Sequence, residues 1–134
     1  MFYRKALWEK NRMQIKKVLI VDDDMRFRRY VKELFSSEED LQIIGEAANG
    51  KEAVRKAKEL QPALVLMDIS MPWISGLDAA RQLKKIMPKL AVIFLTIYDL
   101  EGYREAAMAR GACAYVLKKD MMEELIPAIR MALS

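Results

Sequence analysis

Two short apolar segments of this chain end in acidic residues. Residues 63–67 (Ala-Leu-Val-Leu-Met) lead directly into Asp68, and residues 17–21 lead into the triplet Asp22–Asp24. Carboxylates brought this close together repel one another unless a cation lies among them. Their oxygen atoms suit a hard ion such as Mg²⁺, and a carboxylate can also attack a phosphoryl group. These residues therefore predict a metal site with phosphoryl-transfer chemistry.

Two further polar residues end apolar segments in the same manner. Thr96 closes residues 90–96, and Lys118 follows residues 114–117. A hydroxyl and an ammonium group could both stabilise the charge that spreads over the oxygens of a transferring phosphoryl group. Each residue alone has an ordinary explanation, because Thr is common in strands and Lys is common on surfaces. Their placement at successive segment ends, together with the acids, favours a shared site.

Strand-like and helix-like patterns alternate along the whole chain. The predicted strands are 18–22, 41–47, 64–68, 90–96 and 114–117, and the predicted helices are 26–35, 51–60, 77–86, 101–110 and 121–133. Asn49 and Ser75 are predicted to cap the second and third helices. Strict alternation predicts an α/β fold, a (βα)₅ doubly wound parallel five-stranded sheet with helices on both faces. The carboxyl ends of parallel strands share one edge, which would bring the polar residues together.

Composition excludes several classes of chemistry. The chain of 134 residues has no histidine, which excludes Ser-His and Cys-His nucleophile pairs, imidazole bases and histidine-ligated zinc. The single Cys113 excludes an internal disulfide, fits a reducing cytosol and is predicted to fill the core of a strand. No apolar run approaches the roughly 20 residues of a membrane span, and no secretory signal is evident. A cytoplasmic domain without membrane contact is expected.

The positive charge of the chain is concentrated at its start. Residues 1–17 contain six basic side chains and one acidic side chain, whereas residues 18–134 contain 17 basic and 18 acidic ones. The basic character therefore belongs to an N-terminal extension, residues 1–14, and no direct nucleic-acid binding is expected of the chain. Two explanations of the extension remain open. It is either an amphipathic segment that docks on the domain, a partner or a membrane surface, or a tail preceding a natural start at Met13.

The chain resembles the receiver domains of two-component response regulators. The matching segments are residues 18–24, 65–72 with Gly76, 93–96 and 111–118, in the right order and at the right spacing. The resemblance covers residues 15–134 as one receiver domain. It implies a flavodoxin-like fold with strand order 2-1-3-4-5 and a signalling role, without turnover of an external substrate as an enzyme.

The resemblance also implies a role for each residue of the site. Asp68 would accept a phosphoryl group from a histidine kinase or a histidine phosphotransfer protein and become 4-aspartylphosphate. Asp22 and Asp23 would hold Mg²⁺, with Asp68 and the backbone carbonyl of Ser70 as further ligands. Lys118 would contact the phosphoryl oxygen or pair with Asp68.

The same resemblance implies a conformational switch. Thr96 would move toward the phosphoryl group, and the rotamer of Tyr115 would follow it. The altered surface, made by the fourth helix, fifth strand and fifth helix, would control an output domain or a partner, with transcription regulation as the expected output. A homodimer on phosphorylation is a further expectation. Pro72 and Gly76 would shape the loop after Asp68, where glycine permits unusual φ angles.

Two residues depart from the pattern of the family. Ile97 follows Thr96 where the family usually carries Ala or Gly, and the bulky Tyr98 comes next. Both could shield an acyl phosphate, which predicts slow self-dephosphorylation. Ile97 also leaves open a degenerate receiver that serves as a binding module. A metal-dependent phosphatase of the haloacid dehalogenase type would need a second Asp at position 70, where this chain has Ser70.

Overall fold

Five parallel strands form one sheet in the computed structural model, which describes residues 15–134. The strands are β1 (Lys16–Val21), β2 (Leu41–Ala47), β3 (Leu64–Met67), β4 (Ala91–Thr96) and β5 (Ala114–Leu117). The helices are α1 (Met25–Phe35), α2 (Gly50–Leu60), α3 (Gly76–Ile86), α4 (Glu101–Ala109) and α5 (Met121–Ala132). The spatial order β2-β1-β3-β4-β5 confirms the predicted fold and strand order. The predicted N-terminal extension lies outside the described residues.

The central strands are buried on both faces, so alternate residues of each strand enter two separate cores. Leu19 and Val21 of β1 pack with α2, α3 and α4 on one face. Val18 and Ile20 pack with α1 and α5 on the other. Full burial of such aliphatic side chains contributes roughly 1.5–3 kcal/mol each. This two-sided burial holds the carboxyl ends of the strands, and the residues that follow them, at one rigid edge.

Polar side chains at the starts of three helices position the loops around that edge. Asp24 caps α1 by accepting from the N–H groups of Arg26 and Phe27 at 2.9 and 3.3 Å. Asn49 caps α2 and Ser75 caps α3, which confirms both predicted N-caps. Such caps contribute about 1 kcal/mol each. Asp24 is therefore committed to the helix start and is not part of the acidic cluster described below.

Cys113 does not fill the core. It is exposed and lies before β5, where its N–H group donates to the carbonyl of Val92 at 2.8 Å. β5 begins at Ala114 and is an edge strand, so Cys113 belongs to the loop before it, whereas Ala112 and Tyr115 are buried. Among residues 15–134, no helix is long and apolar enough to cross a bilayer.

Candidate metal and phosphoryl-transfer site

Three carboxylates meet at the carboxyl edge of the sheet. Asp22 and Asp23 follow β1, Asp68 follows the adjacent β3, and one carboxylate oxygen of each lies within 4.8 Å of the others. Asp22 is 2% exposed and Asp68 is 7% exposed, whereas Asp23 faces solvent. The donor set is entirely hard oxygen, which fits Mg²⁺ or a similar cation. The cluster could therefore hold a metal ion with one side open to water.

Lys118 supplies the balancing positive charge, and it does so closer to Asp22 than to Asp68. Its Nζ atom donates to Oδ2 of Asp22 at 2.7 Å and lies 3.8 Å from Oδ2 of Asp68. The ammonium group also lies 4.0 Å from the centroid of the Phe27 ring, a favourable cation–π distance. A second oxygen of Asp22 accepts from the Asp24 N–H group at 2.8 Å. Lys118 and Asp22 thus restrict each other while Lys118 remains within reach of Asp68.

Asp68 has an unusual electrostatic environment. Burial raises the pKa of its carboxyl group, and the nearby Asp22 carboxylate raises it further, from the ordinary 3.8 to about 6. Lys118, the N–H group of Ile69 at 2.8 Å and the Thr96 hydroxyl oppose this rise in the pKa without cancelling it. At neutral pH Asp68 is therefore mostly ionised, as a nucleophile or a metal ligand must be.

Gly76 fixes the loop that follows Asp68. A Cβ atom at position 76 would lie 1.8 Å from the backbone oxygen of Asp68. The Gly76 N–H group donates to the backbone carbonyl of Ile69 at 2.7 Å. The expectation that Gly76 is needed for an unusual φ was wrong. Among the described glycines only Gly111 has a positive φ, and Gly76 is instead required by close backbone approach. Sequence spacing alone carries no signal for such a contact.

Thr96 and Tyr115 are joined through the backbone of Tyr98. The fully buried Thr96 accepts from the Tyr98 N–H group at 3.3 Å, and the Tyr115 hydroxyl donates to the Tyr98 carbonyl at 2.6 Å. The guanidinium of Arg104 lies 4.8 Å from the centroid of the Tyr115 ring. Burial raises the pKa of the Tyr115 hydroxyl, which therefore stays protonated and able to donate. No pattern in the sequence indicates that Tyr98 links Thr96 to Tyr115. From the sequence alone, Tyr98 was considered only as a residue that could shield an acyl phosphate.

The remaining candidates lie at the rim. Ser70 is exposed directly after the buried Ile69, and the proposed ligand role of its carbonyl stays a prediction. Ile97 is 70% exposed, whereas Tyr98 is half-buried with its ring centroid 5.2 Å from that of Tyr103. Sequence reasoning also missed the contact of Phe27, whose ring packs against the core from α1 and lies under the site lysine.

Fold and site together define an α/β domain with an acidic pocket at the carboxyl edge of a parallel sheet. The family model described as the response regulator receiver domain matches residues 18–130. The chain belongs to this family and is a receiver domain of a two-component response regulator, as the sequence predicted.

Similar proteins include named response regulators. Response regulator protein VraR from Staphylococcus aureus is 40% identical over 116 residues, which is 85% of this chain and 54% of that protein. This chain therefore spans about half the length of the curated relatives it matches.

Solved structures show the same likeness. A DNA-binding response regulator of the LuxR family from Staphylococcus aureus has a TM-score of 0.83 at 29% identity, over 90% of this chain and 100% of that chain. A CheX–CheY–BeF₃–Mg²⁺ complex from Borrelia burgdorferi has a TM-score of 0.83 at 26% identity, over 89% and 90% of the two chains.

Proposed function

We propose that Asp68 accepts a phosphoryl group in a Mg²⁺-dependent reaction. The observation that carries this proposal is the buried Asp68 carboxylate with Asp22 and Asp23 within 4.8 Å and Lys118 at 3.8 Å. Asp22, Asp23 and Asp68, with the carbonyl of Ser70, would hold Mg²⁺. The ion would supply positive charge against the charge that develops on the phosphoryl oxygens.

The residues of the chain have distinct tasks in this reaction. A carboxylate oxygen of Asp68 forms a bond to phosphorus while the bond from phosphorus to the donor's imidazole nitrogen breaks, which yields 4-aspartylphosphate. Lys118 is close enough to Asp68 to pair with the new phosphoryl oxygens. The phosphodonor is a histidine kinase or a histidine phosphotransfer protein, and the chain catalyses only its own phosphorylation and dephosphorylation.

The switch starts from the Thr96 hydroxyl. The phosphoryl group offers a charged acceptor for the Thr96 O–H, and movement toward it draws the hydroxyl oxygen away from the Tyr98 N–H group that donates to it. Movement of Thr96 releases one end of Tyr98, whose carbonyl holds the hydroxyl of Tyr115 at 2.6 Å. The position of Tyr115 then reports phosphorylation on the surface made by α4, β5 and α5.

The output belongs to the same proposal. Relatives described as DNA-binding response regulators of the LuxR family support a role in transcription regulation. We further propose that residues 15–134 are the receiver unit, that residues 1–14 are an extension, and that the reaction takes place in the cytoplasm. Phosphorylation would act on an output domain or partner protein and promote a homodimer.

A direct experiment is to incubate the protein with Mg²⁺ and acetyl phosphate, and separately with beryllofluoride. Intact mass would follow the covalent adduct, and the fluorescence of Trp73 in a Trp8→Phe background would follow occupancy of the site. The expected result is a Mg²⁺-dependent adduct that is lost in Asp68→Asn. The absence of an adduct and of any Mg²⁺ response would instead support the degenerate receiver that acts as a constitutive binding module.

A further inference from the structure

Trp73, in the loop between β3 and α3, has a strained backbone and an exposed side chain. The Ile74 N–H group donates to the Pro72 carbonyl at 2.9 Å, which closes a three-residue turn with Trp73 at its centre and a φ of 66°. Turns of this kind with positive φ are rare and strained, and a bulky aromatic residue is poorly suited to them. Trp73 is nevertheless 88% exposed. Strain that places a large indole in solvent points to a binding role.

The loop leads into a groove between α2 and α3. Two adjoining depressions of about 300 and 350 Å³ share Ile74 and Gln82, and Trp73 also lines the first. Val54 and Ile74 provide its apolar surface. Ile74 is held in place because Gly50, at the start of α2, approaches it so closely that a Cβ atom there would lie 3.0 Å from its side chain. The groove is therefore a preformed feature.

Basic side chains border this groove on both helices. Lys51 and Lys58 lie on the α2 side, and Arg81 and Lys85 lie on the α3 side. Within residues 15–134, none of these four forms an ion pair. Two acidic residues also line the depressions: Glu59 pairs with Arg55, which lines them too, and Asp78 accepts from the Ser75 hydroxyl and keeps its charge. Five basic side chains against these two acidic ones leave the lining with a net positive charge. The groove thus presents positive charge around an apolar centre.

We infer that this groove binds an acidic amphipathic segment of a partner protein, with Trp73 as an aromatic anchor. Apolar side chains of the segment would contact Val54 and Ile74, and its carboxylates would meet the basic residues on either side. Two rows of positive charge around an aliphatic centre fit an amphipathic segment better than a nucleic acid, whose outer surface is mostly charged phosphate and offers few aliphatic groups to such a centre. This site lies beyond the proposed phosphoacceptor chemistry and does not depend on it.

The test uses a fluorescein-labelled synthetic helical peptide with leucines along one face and glutamates on both flanks, titrated in fluorescence anisotropy. A matched peptide has glutamine at every glutamate position. The double variant Arg81→Glu/Lys85→Glu should weaken binding of the acidic peptide by about tenfold or more. Lys17→Glu/Arg29→Glu changes net charge equally at exposed positions that do not line the groove and should bind the acidic peptide as the unaltered protein does. All variants keep the basic residues 1–14, so any attraction of the acidic peptide to that segment is the same in each. Differences in affinity between the variants therefore come from the groove.

A second variant separates loss of binding from loss of folding. Trp73→Gly removes the anchor while glycine suits the positive φ, so binding should weaken by about tenfold and the thermal midpoint should stay the same or rise. Equal affinity of the two charge-reversed proteins would overturn the proposal, as would equal affinity for the acidic and glutamine peptides. Tighter binding of a DNA duplex, lost in Arg81→Glu/Lys85→Glu, would also overturn it and assign the groove to nucleic acid. The covalent adduct formed with acetyl phosphate at Asp68, measured by intact mass, should persist in every groove variant, so failure of the groove proposal is distinct from failure of the phosphoacceptor proposal.

Discussion

Gly76 lies against the backbone of Asp68 so closely that any side chain at position 76 would overlap the Asp68 carbonyl, with a Cβ–O distance of 1.8 Å. The start of α3 and the end of β3 are thus locked together at the candidate site. Because the obstacle is backbone, no side-chain rotation can relieve it.

Gly76→Ala should therefore destabilise the domain by about 3 kcal/mol, because the loop must move to admit one methyl group. It should also reduce formation of the beryllofluoride adduct. Gly102→Ala is the matched control, since nothing lies within 4 Å of its added Cβ atom and alanine favours a helix by about 0.5–1 kcal/mol. Urea unfolding of both variants checks this, and equal stability of the two would contradict the packing argument.

Asp68→Asn should stabilise the metal-free protein at pH 8. The pKa of Asp68 is raised to about 6 in the folded state, against 3.8 in the unfolded state. The protonated carboxyl group therefore contributes its full stabilisation below pH 3.8, and this stabilisation is lost as pH rises through about 6. Removing the charge should then raise the free energy of unfolding by about 1–3 kcal/mol at pH 8.

The same reasoning predicts two conditions under which Asp68→Asn no longer raises the free energy of unfolding. Well below pH 3.8 Asp68 is protonated in both the folded and the unfolded state, and with saturating Mg²⁺ a cation offsets the repulsion with Asp22. Urea unfolding at pH 8 and at a pH well below 3.8 would test the first condition. Urea unfolding at pH 8 with Mg²⁺ or with a chelator would test the second. A gain that is independent of pH would show that charge repulsion is not its cause.

Tyr115→Phe should destabilise the domain by about 1 kcal/mol, because it removes the hydrogen bond to the Tyr98 carbonyl and leaves that group without its donor. It should also weaken the coupling between beryllofluoride binding and the α4–β5–α5 surface, measured as chemical-shift changes in α4 and α5. Tyr30→Phe is the control, because the Tyr30 hydroxyl lies at the surface and donates only to the sulfur of Met122 at 3.7 Å. Undiminished shift changes in Tyr115→Phe would remove Tyr115 from the switch.

Ile97→Ala should shorten the lifetime of phosphorylated Asp68. A branched side chain next to Thr96 is expected to limit the access of water to an acyl phosphate, so the unaltered protein should lose its phosphoryl group over many minutes. The decay of the phosphorylated mass after removal of the donor would measure both lifetimes. Loss within seconds in the unaltered protein, or an unchanged rate in Ile97→Ala, would show that Ile97 does not shield the site.

The sequence by itself determined the alternation of strands and helices and the edge at which the polar residues collect. Asp22, Asp68 and Thr96 each end a strand, and apolar periodicity is a local property that can be counted along the chain. The motifs around these residues also indicated the family, which the match over residues 18–130 confirmed.

Only the tertiary structure decided which neighbours these residues have. Lys118 donates to Asp22, and Tyr98 joins Thr96 to Tyr115. Each of these relationships depends on distances between different elements of the fold.

The basic groove between α2 and α3 is the clearest example of an arrangement that the sequence alone did not determine. Residues 18–134 contain 17 basic and 18 acidic side chains, and the sequence assigned the basic character of the chain to its N-terminal extension. Packing of α2 beside α3 nevertheless gathers Lys and Arg side chains around Ile74. A charge count records how many such groups exist, whereas the electrostatic potential at a surface depends on how the helices bring them together.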